Sequence, residues 1–179
     1  MKKVILVLML LCGSALFTSC EKEIVDSEKL DGQWTLYKGE MLFDGKVIKS
    51  ENAPADEYTT FTFADGYVSF YDEDGVYRYP YTLSNGIITI VAVIIPIQIA
   101  VKKLTHSELI LEIPIPTLES EFVGEVCATY NGKKIYKSES YLFETYWYMS
   151  GSKVIICEPV DDDDYNSGWY DASRGYYRK

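Results

Sequence analysis

The chain has 179 residues, is 47% hydrophobic, and carries 27 acidic against 17 basic side chains for a net charge of −10. That balance argues against nucleic acid, whose binding rests on neutralising phosphates with Lys and Arg, and against docking on anionic lipid headgroups. The length suits one domain with a proper core, and 16 tyrosines favour strands.

Residues 1–19 open with Lys2 and Lys3, continue through the apolar run Val4 to Leu11, and end on Phe17-Thr18-Ser19. This is the layout of a secretory signal. The run is shorter than the roughly 20 residues a membrane-spanning helix needs. Leu16-Phe17-Thr18-Ser19-Cys20 resembles the lipobox of bacterial lipoproteins. The resemblance implies cleavage before Cys20, lipidation of that cysteine, and a lipid-anchored place in the cell envelope, at the outer membrane. Two or more acyl chains hold a protein stably where one does not. The mature chain then keeps 15 basic and 27 acidic residues, a net charge of −12. Residues 20–29 read as the lipidated cysteine and a charged, flexible tether. Glu21-Lys22-Glu23 resembles the surface-export signals of some Bacteroidota lipoproteins.

Residues 30–179 read as one domain. No helical stretch or internal repeat stands out after Cys20, and tight-turn signals punctuate a run of strands. Asp44-Gly45, Asp65-Gly66, Asn85-Gly86 and Asn131-Gly132 are two-residue hairpin loops. Around Asp65-Gly66, Phe61 faces Phe70 and Phe63 faces Val68, which sorts all four onto one side. A one-residue slip would destroy that sorting. Around Asn85-Gly86, Leu83 faces Ile88, Tyr81 faces Ile90 and Tyr79 faces Ala92. Asp44-Gly45 sets Leu42 against Val47, and Glu40 against Lys49 as an opposite-charge pair. Ile87 to Val101 is very apolar, but Pro96 and Gln98 break it into two buried strands rather than a membrane span. Thr105-His106-Ser107 is a turn, and Glu108 to Ile113 alternates as a strand. Further strands follow over Glu121–Tyr130, Ile135–Ser138, Tyr141–Met149 and Lys153–Glu158. Tyr141, Phe143, Trp147 and Met149 share one face.

The expected fold is therefore all-β: an antiparallel up-and-down meander of about 8–10 strands, closed into a barrel to remove its edges. Three motifs then resemble small bacterial lipocalin-like lipoproteins: Gly32-Gln33-Trp34, the hairpin from Tyr58 to Gly66, and Lys103-Leu104-Thr105-His106-Ser107-Glu108-Leu109. The resemblance implies a lipocalin-like barrel whose first-strand tryptophan packs against an arginine from the last part of the barrel, with Arg174 and Arg178 as the candidates.

Catalytic devices are scarce. His106 is the only histidine, and a turn residue lacks the cleft that a Ser-His-Asp arrangement needs. No cluster of ligands has zinc spacing. Glu112 and Glu144 are the acids nearest an apolar setting, as a glycosidase acid would be. Asp162, Asp164 and Asn166 have the alternate oxygens of a calcium loop but lack its glutamate. Cys127 and Cys157 allow either a disulfide, worth roughly 3.5 kcal/mol in the chain-entropy model, or two buried free thiols.

The expectation is a non-enzymatic envelope lipoprotein, with no cofactor and no nucleic-acid partner. It would be held to the membrane through its N-terminal lipid and bind a small apolar or amphipathic ligand within the barrel. The proposed lining is Trp34, Phe61, Phe63, Phe70, Tyr79, Tyr81 and Ile90, chosen because they sort onto one face of two separate hairpins. The alternative is a filled barrel that binds a glycan or a partner in a surface assembly. It would use outer loops and the C-terminal aromatics Trp169, Tyr170, Tyr176 and Tyr177.

Overall fold

The fold grows from its tight turns. Asp44, Asp65, Asn85 and Asn131 have φ of 51°, 54°, 53° and 46°, and the glycine after each is also positive. Two successive left-handed residues match the twist of the flanking strands, which is why Asx-Gly pairs occupy these loops. The computed structural model describes residues 27–53, 60–72, 75–92, 95–115, 124–139, 144–161, 164 and 167–179. Cys20 and the residues to 26 lie outside that set.

A one-turn helix α1 (Ser27–Leu30) leads into β1 (Gly32–Phe43) and β2 (Lys46–Asn52). A meander follows through β3 (Thr60–Ala64), β4 (Tyr67–Asp72), β5 (Gly75–Ser84), β6 (Ile87–Ala92), β7 (Ile95–Leu104) and β8 (Glu108–Pro114). The chain then leaves to build β9 (Glu125–Tyr130), β10 (Lys133–Glu139), β11 (Glu144–Ser150), β12 (Lys153–Pro159) and β13 (Trp169–Tyr170). It returns as β14 (Ala172–Arg178). Strand β14 pairs with β8 on one side and β1 on the other, so β1, β3–β8 and β14 close an eight-stranded antiparallel barrel. Strand β2 pairs with the upper half of β1 and β3 with its lower half.

The hairpin registers follow the alternation of the sequence. Phe61 pairs with Phe70 and Phe63 with Val68; Tyr81 pairs with Ile90 and Leu83 with Ile88. Leu42 pairs with Val47, but a bulge follows, so Lys49 stands opposite Met41 rather than Glu40. The expected Glu40–Lys49 pair does not form: Lys49 reaches Glu51 at 3.0 Å, and Glu40 reaches Lys38 at 2.6 Å. Pro80 is accommodated because Tyr81 donates its N–H to the Gly66 carbonyl on the β4 side, at 3.0 Å. The proline nitrogen therefore points the other way, where the β5–β6 ladder has ended.

One end of the barrel is packed shut. Leu30, Trp34, Phe63, Val68, Ile88 and Leu109 are essentially without exposure there. The Trp34 indole donates to the Leu30 carbonyl at 2.7 Å. The cation over its ring is Lys179, 4.7 Å from the centroid, which also donates to the Lys29 and Asp31 carbonyls. Neither expected arginine takes that place. Arg174 points outward to Glu112, and Arg178 lies over Tyr37.

The second departure from a single meander is the sheet β13-β12-β11-β10-β9. Its core of Ile135, Tyr146, Tyr148, Cys157 and Trp169 receives Phe43 from the tip of β1. Phe43 lies 5.0 Å from the Tyr130 ring and 4.8 Å from that of Tyr148. Asp171, at the entry to β14, ties the sheets together. Its carboxylate accepts the Asp44 N–H at 2.7 Å and the Tyr148 hydroxyl at 2.5 Å. Its N–H donates to Leu42, and its carbonyl accepts from Ile115.

Replacing Phe43 with alanine is expected to cost about 3–5 kcal/mol, as for other buried phenylalanines. Hydrogen exchange should quicken mainly at the amides of β9–β12 and leave those of β3–β6 protected; equal loss in both would show one indivisible core.

Candidate functional site

The inner face of the barrel changes character from the closed end to the end that carries the Asp44-Gly45 turn. Trp34, Phe63 and Ile90 belong to the packed core, with Tyr81 against Phe63 at 5.2 Å. Phe61, Phe70 and Tyr79 are half-buried higher up. Phe70 stacks on Tyr79 at 5.8 Å, and Phe61 meets Tyr177 at 5.5 Å. All seven expected lining residues thus gather on the inner face of one barrel, Trp34, Phe63 and Ile90 buried and Phe61, Phe70, Tyr79 and Tyr81 half-buried.

The hollow lies at the seam where β14 closes on β1. A cavity of about 350 Å³ opens there, within the range of small-ligand sites, bordered by Leu36, Gly39, Met41, Ile113, Ser173, Gly175 and Tyr177, by Glu40 and Arg174, and by Lys49 to Asn52 of β2 and the following Ala53. Its origin is in the register. Gly39 pairs with Gly175, and Met41 with Ser173, so a layer of the inner wall lacks two side chains and has a third that is small. A Cβ added at Gly39 would meet no atom within 4 Å. At Gly175 it would stand 2.6 Å from the Tyr177 hydroxyl. The Tyr177 ring therefore leans along β14 toward the open end and carries its hydroxyl to the level of the glycine pair. A polar hollow of about 700 Å³ adjoins the mouth, sharing Met41 and Lys49 and bounded by Glu158, Asp161 and Tyr170.

Sequence reasoning missed this lining. The usable signal was small residues at inward positions: a glycine within a strand marks a bulge or a space into which something else comes close. Locating the cavity also required the β1–β14 register, a pairing across more than a hundred residues.

Outside the same seam, charges alternate from strand to strand. Glu40 accepts from Lys38 at 2.6 Å and from the Tyr176 hydroxyl at 2.8 Å, with Arg174 at 3.5 Å. Arg174 and Lys102 hold Glu112 at 2.7 and 3.0 Å. The Lys38 hydrogen bond above all keeps the Glu40 carboxyl below its usual range. Burial would raise Glu112, but Arg174 and Lys102 outweigh it and bring it down. Glu144, paired with Lys137 and Tyr146, is lowered as well. Neither Glu112 nor Glu144 has the raised pKa of a glycosidase acid.

The remaining candidates separate. Cys127 and Cys157 are free thiols, the first exposed and the second buried, on strands with β10 and β11 between them. Cys127 occupies the bulge of β9 and directs its thiol at the Ile135 carbonyl, at 3.5 Å. Asp164 is exposed in a turn, while Asp162 and Asn166 lie outside the described residues. Among the described residues no group of His, Cys, Asp and Glu is placed to hold a metal ion. His106 is exposed in its turn. Trp169 is 1% exposed and packs 5.1 Å from Tyr146, so it is core rather than an open platform for sugar rings. Comparison with protein-family models, with curated proteins and with solved structures gave no match.

Burial pushes the Tyr177 hydroxyl from the ordinary 10.0 up to about 12. The unfolded chain releases this proton near 10 and the folded chain near 12, so stability is full below 10 and falls as pH rises between the two. Tyr148, raised by burial and by Asp171, adds to the loss. Denaturant midpoints measured from pH 9 to 12 should fall, and fall less steeply in Tyr177→Phe.

Proposed function

We propose that this chain is a lipid-anchored envelope protein that holds a small apolar or amphipathic molecule in the mouth of its barrel, as the lipocalin resemblance implies. The observation that carries the binding reading is the pair of inward glycines, Gly39 and Gly175, facing each other across the seam beside the cavity. Strand interiors disfavour glycine, and packed cores leave few voids larger than a water molecule. Two such residues in one layer are explained by the need for space. The alternative, a filled barrel using outer loops and C-terminal aromatics, keeps the half-exposed Tyr170 and Tyr176 but loses Trp169, buried in the second core, and Tyr177, which faces the cavity.

Two measurements test this reading. Cells grown with a radiolabelled fatty acid should label the wild-type chain, and a Cys20→Ser chain should carry no label; equal labelling would remove the anchor at Cys20. For the cavity, the Cys20→Ser chain should take up the neutral fluorescent probe N-phenyl-1-naphthylamine with a rise in emission. Gly39→Phe should abolish that uptake while matching or exceeding the parent in thermal stability, since it fills a void and improves strand propensity. Probe uptake unchanged by Gly39→Phe would place binding elsewhere.

A further inference from the structure

The Tyr177 hydroxyl gives the proposed cavity a chemical preference. Tyr177 is 5% exposed and stands at the cavity floor, with its hydroxyl at the level of the Gly39–Gly175 pair. Among the described residues that hydroxyl has no hydrogen-bond partner; its ring packs in the barrel core, 5.5 Å from that of Phe61. Among the described residues no buried side-chain oxygen or nitrogen lacks a partner, so this unpaired hydroxyl is open to solvent. Here the open side of the hydroxyl is the cavity itself.

The same surroundings set the charge of what enters. Leu36, Ile113 and glycine backbone line the cavity, with Glu40, Glu51, Lys49 and Arg174 also on its border. Both cations are already neutralised by carboxylates. Arg174 faces outward and is held by Glu112 and Glu40, and Lys49 pairs with Glu51 at the exposed rim. A carboxylate or phosphate pushed to the floor would be desolvated without a counter-ion, which costs more than one hydroxyl returns. A neutral oxygen pays far less and gains the Tyr177 O–H as donor. Resting on the ligand-binding reading above, we propose that the cavity selects an uncharged apolar molecule that places a single acceptor oxygen, of a ketone, ester or alcohol, against Tyr177.

The test is competition on the full chain carrying Cys20→Ser. N-phenyl-1-naphthylamine is the reporter, and 2-acetylnaphthalene, 2-ethylnaphthalene and 2-naphthoate are the competitors, with Gly39→Phe as background. The ketone-to-hydrocarbon affinity ratio should drop on the order of fivefold in Tyr177→Phe, the size of one neutral buried hydrogen bond. The hydrocarbon should bind both proteins alike, and naphthoate should be the weakest of the three by tenfold or more. A ratio the same within twofold in both proteins, or naphthoate binding as tightly as the ketone, overturns the inference while leaving the cavity in place. Probe signal no greater than that of Gly39→Phe instead removes the ligand-binding reading itself. If Tyr177→Phe fails to fold, Gly175→Ala reads the same ratio, because its Cβ displaces the hydroxyl from 2.6 Å away.

Discussion

The closure of β14 between β8 and β1 is the constraint on which this molecule depends. Eight antiparallel strands leave two open edges unless the last reaches the first, and open edges invite pairing with other chains. The chain makes closure difficult for itself, since it leaves after β8 to build a second sheet before returning. Asp171 stands at the point of return and receives hydrogen bonds from both sheets. Its backbone joins Leu42 on one flank and Ile115 on the other. The register of β14 is thereby set before its first ladder pair, Ala172 with Leu42 and Pro114.

That register decides both faces of the seam at once. On the outside it places Arg174 opposite Glu40 and Glu112, so each carboxylate lies between cations. Near the surface, ion pairs of this kind are worth little individually. A slip of one residue, however, would bring Arg174 to the inner face and leave two partly buried carboxylates without it. The charges therefore act more on the choice of register than on the depth of the energy well. On the inside the same register sets glycine against glycine. Packing energy is forgone there, and a protein that violates its own packing rule at one place usually does so where it works.

Much of this was legible in local sequence. The Asp65-Gly66 hairpin could be laid out residue by residue, because a two-residue loop leaves one register and the aromatics permit only one face. What stayed hidden required partners distant in the chain or a break in alternation. The bulge opposite Met41–Leu42 displaced Lys49 from Glu40, and nothing in an alternating strand announces a bulge. The strands of the second sheet read as strands, but a hairpin does not state which sheet it joins. Lys179, rather than an arginine, covers Trp34, because Arg174 and Arg178 are engaged outside the barrel by Glu112 and Tyr37.

That the seam residues went unnoticed has a different cause. Large aromatics on one face mark the inside of a barrel, and the largest of them occupy it. Trp34 and Phe63 each occupy the volume a ligand would need. Space is left where inward positions are small, and a small inward residue is silent in any scan for hydrophobic pattern. Ser173 and Gly175 interrupt β14 at positions that alternation from Tyr177 assigns to the interior, and the bulge between Leu36 and Lys38 brings Gly39 of β1 to the same face. Tyr177, two residues beyond Gly175, is a large side chain that leans into the gap. Its hydroxyl is free of protein partners among the described residues because the glycines beside it supply no side chain to meet it. The emptiness of the layer and the polarity of its floor are thus one feature of the seam.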